Sequence, residues 1–411
     1  MTQPRTTRSA RHHAPGSTGD VLTILRDGRP RTKRELSDLT GVARTTIAQR
    51  LSDLENAGLV REFESPRATG GRPSAAYQLD SAASVVLAVD LGASHATIAA
   101  TDLLGNVLSH VTQQTCISDG PSAVMALIFD RIDLLRSDPA IERLPVRGIG
   151  IGLPGPVDQN TGRPTSPPLM VGWDGFDVHG ALQARYSCPV YVDNDANILA
   201  LGEQTHAWPE IQDLIFVKIA TGVGTGIISG GRLLHGSQGS AGDLGHVYSP
   251  AAQDRPCRCG NRSCLESLAS AASIAATLTS KGHPATSAAD VVALVRSGNI
   301  ESVRALREAG RALGDVLAMC TALLNPQVIV IGGEITNVGE PLLAGVRESI
   351  YARALPLASR NLKVAVARSG RLGGVIGAAR MAIENVFADL GDTTADALGT
   401  SGLKPLQARS R

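Results

Sequence analysis

Chemistry concentrates between positions 243 and 266, where Asp243, Gly245-His246, Cys257-Arg258-Cys259-Gly260 and Cys264-Leu265-Glu266 follow one another. Three thiols and one imidazole are the donor set that a tetrahedral zinc ion takes. Four protein ligands leave no open position, so such a metal is structural rather than catalytic. It would tie down a loop that carries Asp243, His246 and Glu266 toward a ligand. The alternative is three small buried residues and a surface histidine, but closely spaced thiols in a cytoplasmic chain favour zinc. The remaining cysteines, Cys116, Cys188 and Cys320, stand alone in apolar surroundings and are expected to be small core residues.

A second set of reactive side chains lies near the start. In Ala43-Arg44-Thr45-Thr46-Ile47-Ala48-Gln49-Arg50-Leu51-Ser52-Asp53-Leu54, helical spacing puts Ile47, Leu51 and Leu54 on one face. The other face offers Arg44, Thr45, Thr46, Gln49 and Arg50, short hydroxyls, an amide and guanidinium forks that suit base edges and phosphates. Leu22 and Leu25 belong to a helix before it. Thr32 with Glu35 is a capping-box pair opening a second helix, and Gly41 gives the turn. This is a helix-turn-helix pattern with its second helix as reader. Residues from Gly58 to Leu79 alternate as a β-hairpin wing, whose tip presents Arg72 between glycine and proline, fit for a narrow minor groove. The competing readings are a protein-interaction module and an ordinary solvated loop.

Beyond Asp80 the pattern changes to strands that deliver polar groups at their ends. Val85–Asp90 runs into Leu91-Gly92-Ala93-Ser94, where Asp90 could hold Mg²⁺ while amides near Gly92 and Ser94 meet phosphate. Further strands are expected over 96–101, 107–108, 148–153, 190–193, 214–219 and 328–332. Thr221-Gly222-Val223-Gly224-Thr225 forms a hairpin that could cradle phosphates, and Gly332-Gly333 would leave room for a flat adenine ring. The strand ending at Asp193 delivers Asn194 and Asp195 ahead of a helix reaching about Glu203. Later helices are expected over 271–281, 288–297, 300–321 and 339–354, with a last one opening after Gly373.

Composition frames these elements. A hydrophobic fraction of 43% and a mean hydropathy of +0.04 describe a globular chain, with 411 residues enough for several domains. Net charge is +1, which argues against wholesale nucleic-acid coating. It is uneven: the first 80 residues carry +4 and the rest −3. A basic reader on a slightly acidic ligand-binding body would divide charge in this way. No apolar run is long enough for a bilayer, and the basic N-terminus lacks the apolar core of a signal peptide. The expected organisation is a disordered basic tail over 1–19, a winged helix-turn-helix domain over 20–80, a two-lobed body over 84–388 and a disordered tail over 389–411.

Taken together, residues from about 20 to 385 resemble the ROK family, which joins bacterial repressors with sugar kinases of the actin-like ATPase fold. The Gly-His, Cys-x-Cys-Gly and Cys-x-Glu block is the most specific part of the resemblance, and the winged helix marks the repressor branch. The resemblance implies an α/β body of two lobes and a sugar pocket of Asn194, Asp195, Asp243, His246 and Glu266. In it, His246 holds zinc with Cys257, Cys259 and Cys264. It implies a sugar-responsive regulator of carbohydrate genes that binds a sugar or sugar phosphate and a palindromic operator as a homodimer or higher oligomer in the cytoplasm. The alternative is an ATP-dependent sugar kinase, with Asp195 as base and Mg-ATP on Asp90, Gly92, Ser94, Thr221, Gly222, Gly224, Thr225, Gly332 and Gly333. Three positions depart from the kinases: Asp243 replaces a glutamate, Leu169 stands where an asparagine is usual, and His95 follows Ser94 where Lys or Asn is common.

Overall fold

The computed structural model describes residues 16–64, 75–168 and 170–392; Arg72 and its wing tip, Leu169 and the segments 1–15 and 393–411 lie outside them. Three helices, α1 (Thr18–Leu25), α2 (Lys33–Thr40) and α3 (Arg44–Asn56), pack against a sheet of β1 (Arg31–Thr32), β3 (Ala75–Leu79) and β2 (Val60–Glu64), in that order. The capping box forms as expected: the Thr32 hydroxyl accepts from Glu35 N, and the Glu35 carboxylate accepts from Thr32 N. Gly41 ends α2 with φ 74°, a left-handed geometry that favours glycine. Ile47, Leu51 and Leu54 are buried, so the expected inner face of α3 is the inner face. The first helix opens at Thr18, before the expected domain start, because Ser17 caps it by accepting from Asp20 N.

The body carries two sheets. β4 (Val85–Leu91), β5 (His95–Thr101), β6 (Val107–Gln114), β7 (Val146–Leu153) and β10 (Val190–Asn194) form the first, with the short ribbon β8 (Val157–Asp158) and β9 (Arg163–Pro164) beside it. The second contains β11 (Leu214–Ile219), β12 (Val223–Ser229), β13 (Arg232–Leu233), β14 (Val328–Gly332) and β15 (Lys363–Val366). Their orders are β10-β7-β4-β5-β6 and β13-β12-β11-β14-β15. Ranked along the chain, both place the fifth and fourth strands on one side of the first, and the second and third on the other. The parallel and antiparallel pairings match as well. Two lobes of one topology therefore face each other.

Helices α4 (Pro121–Arg136) and α5 (Val178–Tyr186) belong to the first lobe. The second lobe carries α7 (Glu266–Ala269), α8 (Ala271–Ser280), α9 (Ala288–Arg296), α10 (Ile300–Leu324), α11 (Glu340–Arg353) and α12 (Pro356–Ser359). Between the lobes run α6 (Asp195–Ala207) and α13 (Gly373–Asp392), which share an apolar cluster with both sheets through Ala88, Ile198, Leu214, Phe216, Val330 and Ala378. Their backbones touch: a Cβ on Gly377 would lie 1.7 Å from Ile198 O, and one on Gly202 would lie 1.8 Å from Gly373 O. Helix α13 runs on to Asp392, past the expected end of the body.

The winged helix does not hang free. Val21, Leu22 and Leu25 of α1 share a buried cluster with Ala382, Ile383, Val386 and Phe387 of α13. Around it, Arg26 donates to Glu384 at 3.2 Å, and Arg147 Nη2 donates to Ala57 O at 2.7 Å. Of the three isolated cysteines, Cys188 and Cys320 are buried, but Cys116 is exposed. It lies past the end of β6, at the start of a short 3-10 turn, with its sulfur 3.0 Å from Ser118 Oγ. No described helix is long and apolar enough to cross a membrane.

Candidate functional site

Three groups of side chains meet around the cleft between the lobes. The first is the sulfur-rich loop. His246, Cys257, Cys259 and Cys264 offer ligand atoms that all lie within 4.8 Å of one another. His246 Nδ1 is 3.6 Å from Cys257 Sγ, and Cys259 Sγ is 3.7 Å from Cys264 Sγ. A tetrahedron with metal–sulfur bonds of about 2.3 Å and a metal–nitrogen bond of about 2.0 Å has edges of roughly 3.6 to 3.8 Å. The His246–Cys257 and Cys259–Cys264 pairs match such an edge, and the cluster of four could hold a metal ion. Burial and the neighbouring thiols push the Cys264 thiol up to about 12, a crowding of sulfur that a divalent cation relieves.

The loop is tied to the body through Glu266, the first residue of α7. Its Oε2 accepts from Val223 N at 3.0 Å, and its Oε1 lies 4.0 Å from Cys257 Sγ. Gly222 is small for this reason, since a Cβ there would sit 2.5 Å from Glu266 Oε2. Thr221 lines a cavity of about 160 Å³ with Cys257, Arg258, Glu266 and Ser270. Asp243 is exposed one turn before His246. With Nδ1 facing the sulfurs, the Nε2 of His246 remains available to a ligand, the division of labour expected of a histidine that both binds metal and meets a hydroxyl.

The second group begins α6. Asn194 caps the helix, its Oδ1 accepting from Ala196 N at 2.9 Å while its Nδ2 donates to Gly155 O at 2.8 Å. Asp195 is buried, and its Oδ2 accepts from Lys218 Nζ at 2.6 Å. Behind it, Asp193 Oδ2 lies 2.7 Å from His235 Nε2, and Asp193 Oδ1 accepts from Asn197 Nδ2 at 2.7 Å. Burial opposes the charged form of His235, but Asp193 outweighs it and the pKa is raised. His235 follows β13 of the second lobe, whereas Asp193 is next to last in β10 of the first, so this pair joins the lobes.

The third group is the two hairpins. Asp90 is buried at the end of β4, and Gly374 of α13 is small against it, because a Cβ would lie 2.0 Å from Asp90 Oδ2. Burial raises the pKa of Asp90, with Asp195 adding and Lys218 and His95 opposing. A Cβ on Gly92 would lie 2.8 Å from the His95 ring, and Ser94 is exposed. A Cβ on Gly224 would lie 3.2 Å from Ala196 Cβ, and Thr225 is buried with no hydrogen-bond partner for its hydroxyl. A Cβ on Gly332 would lie 2.5 Å from the Phe216 ring, and one on Gly333 2.1 Å from Ile219 O. Their smallness is thus used by β11 itself. Neither Lys218 nor His235 was singled out from the sequence. The available signal was a lone charge inside the otherwise apolar strand Leu214–Ile219.

The DNA-facing candidates lie apart from the cleft. Arg44, Thr45, Thr46 and Gln49 are exposed on α3 and Arg50 is half-buried, with its Nε buried and unpartnered. Gln49 Nε2 donates to Asp53 at 2.9 Å.

Fold and site thus combine a winged helix with a two-lobed, actin-like body. Family models agree: "Winged helix-turn-helix DNA-binding" matches residues 18–61 and "ROK family" matches residues 86–385. The chain belongs to the ROK family. It is 26% identical over 383 residues to a xylose repressor of Caldicellulosiruptor bescii, covering 89% of this chain and 95% of that one. It is 31% identical over 304 residues to a glucokinase of Halalkalibacterium halodurans, covering 70% and 92%. Among solved structures, a ROK family transcriptional regulator, a homologue of the E. coli MLC protein, superposes with a TM-score of 0.79 at 27% identity. That match covers 92% of this chain and 98% of the other.

Proposed function

We propose that this protein is a sugar-responsive transcriptional repressor of carbohydrate uptake or catabolism genes, working in the cytoplasm as a homodimer. The observation that carries this reading is physical continuity. The reader domain shares one buried cluster with α13, while the other end of α13 lies against Asp90 in the cleft. Repressor relatives of nearly full length and the exposed polar face of α3 support the DNA-binding half. Arg44, Thr45, Thr46, Gln49 and Arg50 face the major groove, and Arg72 reaches the minor groove. In the cleft, Asn194, Asp195, Asp243, His246 and Glu266 form the sugar pocket, braced by zinc on His246, Cys257, Cys259 and Cys264. Sugar binding closes the lobes, shifts α6 and α13 together, and changes the spacing of the two winged helices on a palindromic operator. A coupling of about 1–3 kcal/mol suffices for such a switch.

The test is selection of the full-length protein on randomised duplex DNA, with and without a panel of sugars and sugar phosphates. A palindromic motif whose recovery falls with one sugar supports the reading and identifies the ligand class. No enriched motif, or recovery indifferent to sugars that demonstrably bind, would refute it. The kinase alternative is tested separately, by sugar-dependent ADP release that disappears in Asp195→Asn.

A further inference from the structure

Lys218 is a largely enclosed charge beside the sugar pocket that neither the proposed pocket residues nor the DNA-reading face includes. Its position follows from the repeated topology of the lobes. Asp90 is next to last in β4, paired with Gly152 of β7 on one side and Thr97 of β5 on the other. Lys218 is next to last in β11, paired with Gly332 of β14 and Gly224 of β12. The strands correspond one for one, so Lys218 is the second-lobe counterpart of Asp90. One lobe places an acid at this point and the other places a base.

The lysine reaches across. Its Nζ donates to Asp195 Oδ2 at 2.6 Å, and the side chain is only 17% exposed. Asp90 and Asp195, both 6% exposed, act on it and on each other. Two buried carboxylates at close range need a compensating positive charge, and in a phosphoryl-transfer site a divalent ion supplies it. Here the side-chain ammonium of Lys218 stands in that role. Asp195 bonded in this way has one of its two carboxylate oxygens already taken by a hydrogen-bonded cation. With Lys218 bonded to Asp195 and its charge felt by Asp90, the residues present do not suit a magnesium ion shared by the two carboxylates.

We propose that Lys218 is a built-in cation that replaces the divalent metal ion between Asp90 and Asp195, so that the cleft binds its ligand without a metal–nucleotide partner and Asp195 serves as an ion-pair acceptor. The inference goes beyond the repressor reading and concerns only the cleft. Burial opposes the charged lysine, yet Asp195 and Asp90 outweigh it and raise its pKa, so the cation persists across the physiological range.

The test uses neither sugar nor DNA and can fail independently of the proposed function. Full-length protein, loaded with zinc so that the cysteine cluster is closed, is titrated with Mn²⁺ and followed by electron paramagnetic resonance. Wild type and Lys218→Arg are expected to take up no Mn²⁺ in the cleft. Lys218→Met should gain one Mn²⁺ bound at least about tenfold more tightly than any wild-type uptake, a difference of about 1.4 kcal/mol or more. Adding Asp90→Asn should abolish the gain, which a merely structural lysine would not produce. If Lys218→Met fails to fold by circular dichroism, Lys218→Gln takes its place in the titration. Tight cleft binding of Mn²⁺ by wild type, or no gain in a folded neutral variant, would overturn the proposal.

Discussion

Single side chains define the chemistry of this molecule through their nearest partners. Cys259 lies 3.7 Å from Cys264, the edge length a tetrahedral zinc site would have, and a serine there would offer a harder and more weakly binding donor. Cys259→Ser should lose bound zinc by metal analysis, lower the unfolding temperature, and weaken ligand binding, because His246 and Glu266 share the same loop. At the lobe junction, the raised pKa of His235 sets a direction in pH. A histidine whose folded pKa lies above its ordinary 6.5 contributes stability fully below that value and loses it as pH rises through the folded pKa. Thermal melts from pH 6 to 9 should therefore show a loss of stability on the alkaline side that His235→Asn removes. A flat wild-type profile would show that the Asp193 pair does not stabilise lobe contact.

Helices α6 and α13 connect these residues to the rest. Side-chain packing usually keeps helix axes 8–10 Å apart, but here glycines bring backbone against backbone. A methyl at Gly377 would meet the carbonyl of Ile198, so the two helices must separate to admit it. Gly377→Ala is expected to cost about 1–3 kcal/mol, read in denaturant unfolding. It should also weaken the effect of sugar on DNA binding, because a displaced α13 no longer follows α6. At the far end, Phe387 is 1% exposed and packs with Val21, Leu22 and Leu25. Phe387→Ala should destabilise by about 3–5 kcal/mol and release the winged helix to limited proteolysis near residue 80 before the body unfolds. Intact resistance to cleavage would mean that the dock holds without this ring. The neighbouring Glu384 is kept ionised by Arg380 and Arg26 against the burial that would raise its pKa, so acidification should loosen the same dock.

For the whole protein, the claim of a switch carries a thermodynamic obligation. A sugar that weakens operator binding by some factor must bind the protein–operator complex more weakly by that same factor. Titration calorimetry of the sugar with free protein and with the operator complex should give two affinities whose ratio equals the ratio of the two DNA affinities. Unequal ratios would show that a further state or partner takes part. DNA affinity should also fall steeply with salt, and Arg44→Ala should cost about 1–3 kcal/mol in specific binding.

Local patterns were enough to specify the helices of the winged domain, the central strands of both lobes and the candidate metal donors, though not the short strands β8, β9 and β13 or the edge strand β15. Capping by Thr32 and Glu35, the inner face Ile47-Leu51-Leu54 and the Cys-x-Cys spacing are enforced by hydrogen bonds and burial between near neighbours, so the chain writes them openly. Contacts between distant surfaces leave no periodic trace. Lys218 meets Asp195 from 23 residues away, His235 meets Asp193 from 42, and Arg26 meets Glu384 from 358. Cys116 looked like a core residue until the end of β6 placed it outside. Gly332 and Gly333 suggest room for a ring, and the fold adds that a Cβ at either would meet Phe216 or the Ile219 carbonyl. Sequence alone therefore determined which side chains could do chemistry and which elements carry them. Only the packing of two like lobes around α6 and α13 decided which charges face each other, because that pairing depends on how whole sheets and helices come together rather than on any residue's neighbours in the chain.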